Sequence, residues 1–261
     1  MKVGSNGIEL NYTVEGAGSW LVMSHSLACT SSMWDEQAAL LARNYKVVRF
    51  DTRGHGASDA PAGEYTLDML AYDVHGLFEA LGIERCHWVG LSMGGMIGQA
   101  FALKFPGVFQ SMVLADTSSR YGPDALPVWQ GRIKTVTEQG MQPLVEPTLA
   151  RWFTEPFRKS HPEVMARIGA MIRTTPVAGY VGCCHAIPKI NFTERLKHIA
   201  CPVLVIVGEQ DAGTPPEMAR EIHAAIPGSE LVVIPSAAHL SNVEQPVAFN
   251  RALTGFLNRH R

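Results

Sequence analysis

The chain has 261 residues, enough for one large α/β domain or for one domain with an insertion, and it is 46% apolar and 18% charged. Its 22 basic and 24 acidic side chains leave a formal charge of −2, without the basic surplus or Lys/Arg run of a nucleic-acid binder. No apolar stretch approaches the ~18 residues that a membrane span needs, so neither nucleic acid nor membrane is an expected partner.

Two β-like runs come first, residues 8–14 and 20–23. The first alternates apolar and polar residues, as an antiparallel edge strand with one solvated face does. A helix is predicted over 36–42, a strand over 46–50, and a longer helix over 66–81 that Gly82 can cap. The apolar run 86–89 reads as a strand, 95–104 as a helix and 111–115 as a strand. After a gap come strands over 202–207 and 230–234, with a helix over 216–226 between them and another over 246–257. This alternation implies an α/β fold, a mostly parallel central sheet with helices on both faces. Between 117 and 200 the rhythm stops, and amphipathic helical stretches follow one another between prolines from Pro123 to Pro188. The expected organisation is a core of residues 1–116 and 201–261 with a helical cap of residues 117–200. The insert sets large apolar side chains beside isolated cations (Trp129, Arg132, Arg151, Trp152, Phe153). Its alternative reading is a surface helical bundle without function.

Residues 1–7 lack an apolar signal-peptide core, and five cysteines fit reduced thiols better than a disulfide framework. A cytoplasmic location is therefore expected. Neither C-x-x-C nor H-E-x-x-H occurs, and no metal or other cofactor is expected.

The chemistry begins at Gly90-Leu91-Ser92-Met93-Gly94, between a predicted strand and a predicted helix. A strand, G-x-S-x-G and a helix in that order resemble the nucleophile elbow of the α/β-hydrolases. Glycines flank the serine because the turn is so tight that side chains there would meet neighbouring backbone. A serine hydroxyl barely ionises at neutral pH, so it needs a base within reach and a carboxylate to orient that base. His239, in the loop after the last strand, is the candidate base. Asp211, after the penultimate strand, is the candidate acid, and Asp116, after the strand that follows the elbow, is its competitor. The oxyanion needs two backbone donors. The N–H of Met93 is one candidate, and that of Leu27, in the loop 24–29 after the second strand, is the other. His25 is expected to brace this loop and Cys29 to be buried packing. Asp51 to Ser58 combines charge with tight turns but lacks the Gly-Lys-Ser/Thr ending of a phosphate loop. Asp51 and Arg53 are expected to brace loops behind the site.

With these residues in place the chain resembles the 3-oxoadipate enol-lactonases, α/β-hydrolases of aromatic catabolism. The resemblance is carried by Ser26-Leu27 with Met33-Trp34-Asp35, the 51–58 loop and Gly90 to Gly95. Further on it is carried by Arg151-Trp152-Phe153-Thr154, Gly179-Tyr180 with Cys184, Thr214-Pro215-Pro216, and Ala238 to Asn242 with Glu244-Gln245-Pro246. One departure is in the oxyanion loop. Where that family usually reads Asn-Ser-Leu-Gly-Thr, this chain has His25 and Ala28, with Cys29 as an extra residue or a shift of the alignment. Backbone donors survive such exchanges, and substrate preference is where their effect would fall.

The resemblance implies a serine hydrolase that opens a small lactone bearing a carboxylate. Such a substrate needs a cation in a dry pocket, for which Arg132 beside Trp129 is the candidate, with Trp152 and Ser26 as further binding residues. The alternatives are a carboxylesterase or lactonase with perhydrolase side-activity, and a C–C bond hydrolase of a ring-cleavage product. A binding protein on a hydrolase scaffold would be marked by loss of a triad member, and none is lost. The expected partner is the small-molecule substrate; a homo-oligomer is left open.

Overall fold

The computed structural model describes residues 1–260. Eight strands form one sheet: β1 (Lys2–Ser5), β2 (Ile8–Glu15), β3 (Ser19–Ser24), β4 (Tyr45–Phe50), β5 (Cys86–Leu91), β6 (Phe109–Ala115), β7 (Val203–Gly208) and β8 (Glu230–Ile234). Their order is β1-β2-β4-β3-β5-β6-β7-β8, with β1, β2 and β4 paired antiparallel and every other pairing parallel. Eleven α-helices accompany them among the described residues: α1 (Asp35–Leu41), α2 (Leu67–Leu81), α3 (Met93–Lys104), α4 (Ala125–Gln139), α5 (Val145–Trp152), α6 (Glu155–Ser160), α7 (Pro162–Thr174), α8 (Val177–Ala186), α9 (Pro216–Ala225), α10 (Ser241–Glu244) and α11 (Pro246–Arg259).

The predicted edge strand is the second strand instead. β1 lies outside it, paired from Lys2↔Asn11 to Ser5↔Ile8. The two-residue turn between them is Asn6-Gly7, with φ of 46° and 79°, the left-handed pair that matches the twist of a hairpin. This dipeptide was the available signal for β1. The ends of α2 follow their local chemistry: the Thr66 side chain accepts from the Met69 N–H, and Gly82 closes the helix at φ 66°.

Both β5 and β7 are buried along their whole length, as central parallel strands between two helical layers must be. From β3 the chain moves outward to β4, then returns to the far side of β3 as β5. The connections after β3 and β5 therefore diverge, leaving a crevice at the carboxyl ends of these strands. Residues between β6 and β7 add no strand to the sheet. They form α4 to α8, and an isolated antiparallel bridge, Arg120↔Asn191, joins the two ends of the segment. No helix of the described residues is long and apolar enough to cross a membrane. All five cysteines are free thiols, four of them buried.

Candidate active site

Ser92 sits between β5 and α3 with φ 55° and ψ −116°. The flanking glycines are sterically required. A Cβ on Gly90 would lie 2.3 Å from the Gly94 carbonyl oxygen, and one on Gly94 would lie 2.2 Å from that of Ser24. Ser92 N–H donates to the Ala115 carbonyl at 2.8 Å, and its own carbonyl accepts the Thr117 hydroxyl at 2.7 Å. Both bonds come from the end of β6 and hold the strained backbone from that side. Ala28 (φ 60°) and Asp116 (φ 46°) are left-handed too, at the ends of the loops that surround the same crevice.

Ser92 Oγ is 3.0 Å from His239 Nε2, and His239 Nδ1 is 2.8 Å from Asp211 Oδ2. The carboxylate fixes the ring proton on Nδ1, so Nε2 accepts from the serine hydroxyl. Asp211 is 2% exposed, and its oxygens also accept the Gly213 and Thr214 N–H groups and the Thr214 hydroxyl. Burial would raise this carboxyl, but attraction and hydrogen bonding from His239, with the Thr214 donors, bring it below its ordinary value.

Asp116, the competing acid, accepts the Gly208 N–H at 2.8 Å and the Ser241 hydroxyl at 2.5 Å. Burial and the nearby Asp211 charge push it well above the usual carboxylate range. It ties β7 to α10 and has no hydrogen bond to His239. Glu209 is exposed and accepts the Ser236 N–H.

A cavity of about 290 Å³ opens over Ser92 and His239. Ser26, Leu27 and Ala28 form one wall, and Tyr121, Trp129, Arg132, Arg151, Trp152 and Tyr180 from the segment between β6 and β7 form the other. The sequence-predicted Ser26, Leu27, Trp129, Arg132 and Trp152 thus come together around Ser92. Met93 stands beside it, fully buried. Neither the Leu27 N–H nor the Met93 N–H has an acceptor among the described residues, and neither does the buried Ser26 hydroxyl.

Arg132 lies over the Trp129 ring at 4.4 Å, and the Trp152 ring stacks on His239 at 6.0 Å. Arg151 also lines the cavity, its guanidinium pushed down by burial and by Arg132. Neither arginine has a carboxylate partner among the described residues. Tyr121 and Thr148 carried no motif that marked them as wall residues, and Tyr180 lay in a stretch of the resemblance without an assigned role. Thr214 did carry one: a hydroxyl three residues after a loop aspartate is placed to cap it.

Behind the crevice, Asp51 accepts the Ser31 and Ala57 N–H groups and the Asn11 amide, while Arg53 pairs with buried Asp73 at 2.6 Å. Cys29 is buried, and burial pushes its thiol up. No group of three His, Cys, Asp or Glu side chains among the described residues could hold a metal ion.

The alpha/beta hydrolase fold family matches residues 19–246. The 3-oxoadipate enol-lactonase 2 of Acinetobacter baylyi is 37% identical over 254 residues, which is 97% of this chain and 94% of that protein. The crystal structure of the enol-lactonase from Burkholderia xenovorans LB400 is 37% identical and covers 99% of this chain and all of its own, with a TM-score of 0.95. A thermophilic esterase from Thermogutta terrifontis, solved with malate bound, is 31% identical with the same TM-score and covers the full chain and 99% of its own. The chain is a hydrolase of carboxylic esters and lactones and belongs to the 3-oxoadipate enol-lactonase family of α/β-hydrolases.

Proposed function

We propose that the protein opens 3-oxoadipate enol-lactone to 3-oxoadipate, with Ser92, His239 and Asp211 as its catalytic triad. The observation that carries this reading is the unbroken hydrogen-bonded line from Asp211 through His239 to Ser92, at the floor of a cavity that also holds two unneutralised arginines. Residues 117–200 act as the cap that closes this cavity over the substrate.

His239 Nε2 takes the hydroxyl proton as Ser92 Oγ attacks the ring carbonyl. The N–H groups of Leu27 and Met93 hold the oxyanion, and Asp211 stabilises the imidazolium without taking its proton. Collapse of the tetrahedral intermediate breaks the ring C–O bond. The ring oxygen departs as an enolate, a better leaving group than an alkoxide. It takes the proton from the His239 imidazolium before tautomerising to the ketone, which leaves His239 neutral again. Water, deprotonated by His239, then attacks the acyl-serine and releases the dicarboxylate with Ser92 restored. Arg132, backed by Trp129, binds the substrate's free carboxylate, while Trp152 and the Ser26 hydroxyl shape and line the bound ring.

The test is kcat/KM on 3-oxoadipate enol-lactone generated in situ, beside p-nitrophenyl acetate and a neutral γ-lactone. A preference beyond ~10³-fold, or ~4 kcal/mol of transition-state discrimination, is expected for the enol-lactone. Comparable weak rates on all three would assign the site to another ester or lactone. In Ser92→Ala, turnover of every substrate should vanish while the fold remains, and retained turnover would remove the serine from the mechanism.

A further inference from the structure

Two fully buried histidines lie beneath the loop after β3, with ring centroids 5.2 Å apart. His25 Nε2 accepts the Thr52 N–H at 2.9 Å, so its ring proton sits on Nδ1, which donates to the Ser26 carbonyl at 2.8 Å. His55 repeats the arrangement: Nε2 accepts the Ala28 N–H at 3.0 Å, and Nδ1 donates to the Arg53 carbonyl at 3.2 Å. Each ring therefore works as one neutral tautomer, and each bridges the 25–28 loop to the 51–58 loop. Burial pushes both rings toward the neutral form, His55 to about 3.

The Ser26 carbonyl and the Leu27 N–H are opposite ends of one peptide unit. No peptide bond among the described residues is cis, so a carbonyl held at His25 turns the Leu27 N–H the other way. The same carbonyl accepts the Cys29 N–H at 3.1 Å, closing a turn whose third residue, Ala28, has the positive φ that such a turn normally reserves for glycine. A turn strained in this way keeps its peptide orientation only if its surroundings over-determine it.

We infer that His25 is a positioning residue for the reaction: its Nδ1–H, acting through the Ser26 carbonyl, aims the Leu27 N–H at the developing oxyanion, while its Nε2 only anchors the loop to Thr52. This rests on the reading of Leu27 as an oxyanion donor. The two ring nitrogens thereby have separable jobs, and two substitutions separate them. His25→Asn keeps an N–H donor on the γ carbon and loses the distal acceptor. His25→Gln reaches the distal acceptor position and loses the γ donor.

With p-nitrophenyl acetate and the enol-lactone as substrates, His25→Asn should stay within about 3-fold of wild-type kcat. His25→Gln should lose about 10–10² in kcat, the scale of a small misplacement or partial loss of an oxyanion donor, with KM nearly unchanged. Phenylboronic acid, which forms a tetrahedral adduct with an active-site serine, should lose affinity in parallel with kcat. Wild-type kcat in His25→Gln, or equal losses in both variants, would overturn the inference. So would an Nε2–H tautomer of His25 in the ¹⁵N spectrum of the histidine-labelled wild-type protein, a reading that needs no variant to fold. Ser92→Ala in the same assay separates the two layers. Turnover surviving there breaks the nucleophile reading, whereas its loss together with an unaffected His25→Gln leaves the nucleophile standing and breaks the link from His25 through Leu27 to the oxyanion.

Discussion

Two aspartates compete for one proposed role at this site, and their hydrogen bonds place them differently for it. Asp211 spends one oxygen on His239 Nδ1 and is held by donors from Gly213 and Thr214, whereas both oxygens of Asp116 are taken up by Gly208 and Ser241. Asp211→Asn should lower kcat by about 10³–10⁴, since an amide there favours the wrong imidazole tautomer and cannot stabilise the imidazolium. Asp116→Asn should cost less than about 10-fold in kcat. Similar losses in steady-state kinetics on the two variants would shift the acid role toward Asp116. Arg132 is a separate question, since it acts on binding rather than on the proton. Removing a charge-assisted bond to carboxylate is worth about 1.5–3 kcal/mol, so Arg132→Ala should cut kcat/KM for carboxylate-bearing lactones by about 10–10² and for neutral esters far less. Equal losses on both substrate types would take Arg132 out of the carboxylate site.

Among the elements, β5 does most to place the chemistry, and it is built for burial. Its residues are covered on both faces, and Trp88 stacks on Phe109 while its indole N–H donates to the Gly94 carbonyl of the elbow. His87 in this strand is fully buried, 2.8 Å from the Ser111 hydroxyl and edge-on to Tyr45. Burial pushes its imidazole down to about 4. The unfolded chain therefore takes up a proton near 6.5 that the folded strand refuses until about 4. The stability at stake is fully present above 6.5 and is lost as pH falls toward 4, at about 1.4 kcal/mol per pH unit. His87→Gln should flatten the acid slope by that amount, read from urea unfolding at a series of pH values. An unchanged slope would mean that His87 is already protonated in the native protein. The start of α3 also shows where local reading stops. The helix begins at Met93 rather than 95 because the Ser92 carbonyl, turned by its left-handed backbone, accepts the Gly95 and Met96 N–H groups. β1 was missed for a different reason: four residues are too few for a periodicity to register, and only the Asn6-Gly7 turn announces them.

Across the whole molecule, one buried carboxylate joins the helical insert to the loop that carries His239. Glu244, 4% exposed, accepts the Thr154 N–H and hydroxyl on one oxygen and the Ala238 N–H on the other. Ala238 directly precedes His239, and the Leu240 N–H donates to the Trp152 carbonyl nearby at 3.2 Å. Glu244→Gln leaves one of these donor groups facing an NH₂. It should cost about 1–3 kcal/mol of stability in denaturant titration and lower kcat with it as the His239 loop loosens. Wild-type stability would show that this joint carries no strain.

The order of strands and helices, the elbow and the candidate residues of the line were legible in the sequence, because each rests on a short-range cause. Apolar periodicity makes strands and helices, and the steric need for glycine beside the serine makes the turn. Tyr121 and Thr148 as cavity walls, the Glu244 joint and the pairing of His25 with His55 were not legible, and Arg151 and Tyr180 stood in telling stretches without a role. Each depends on side chains from distant segments meeting in space, as Ser92 and His239 do across 147 positions of chain. Such meetings are fixed by strand order, by the direction of the crossovers and by close packing of the insert on the crevice. Periodicity encodes which face of an element is buried, but not which other element buries it.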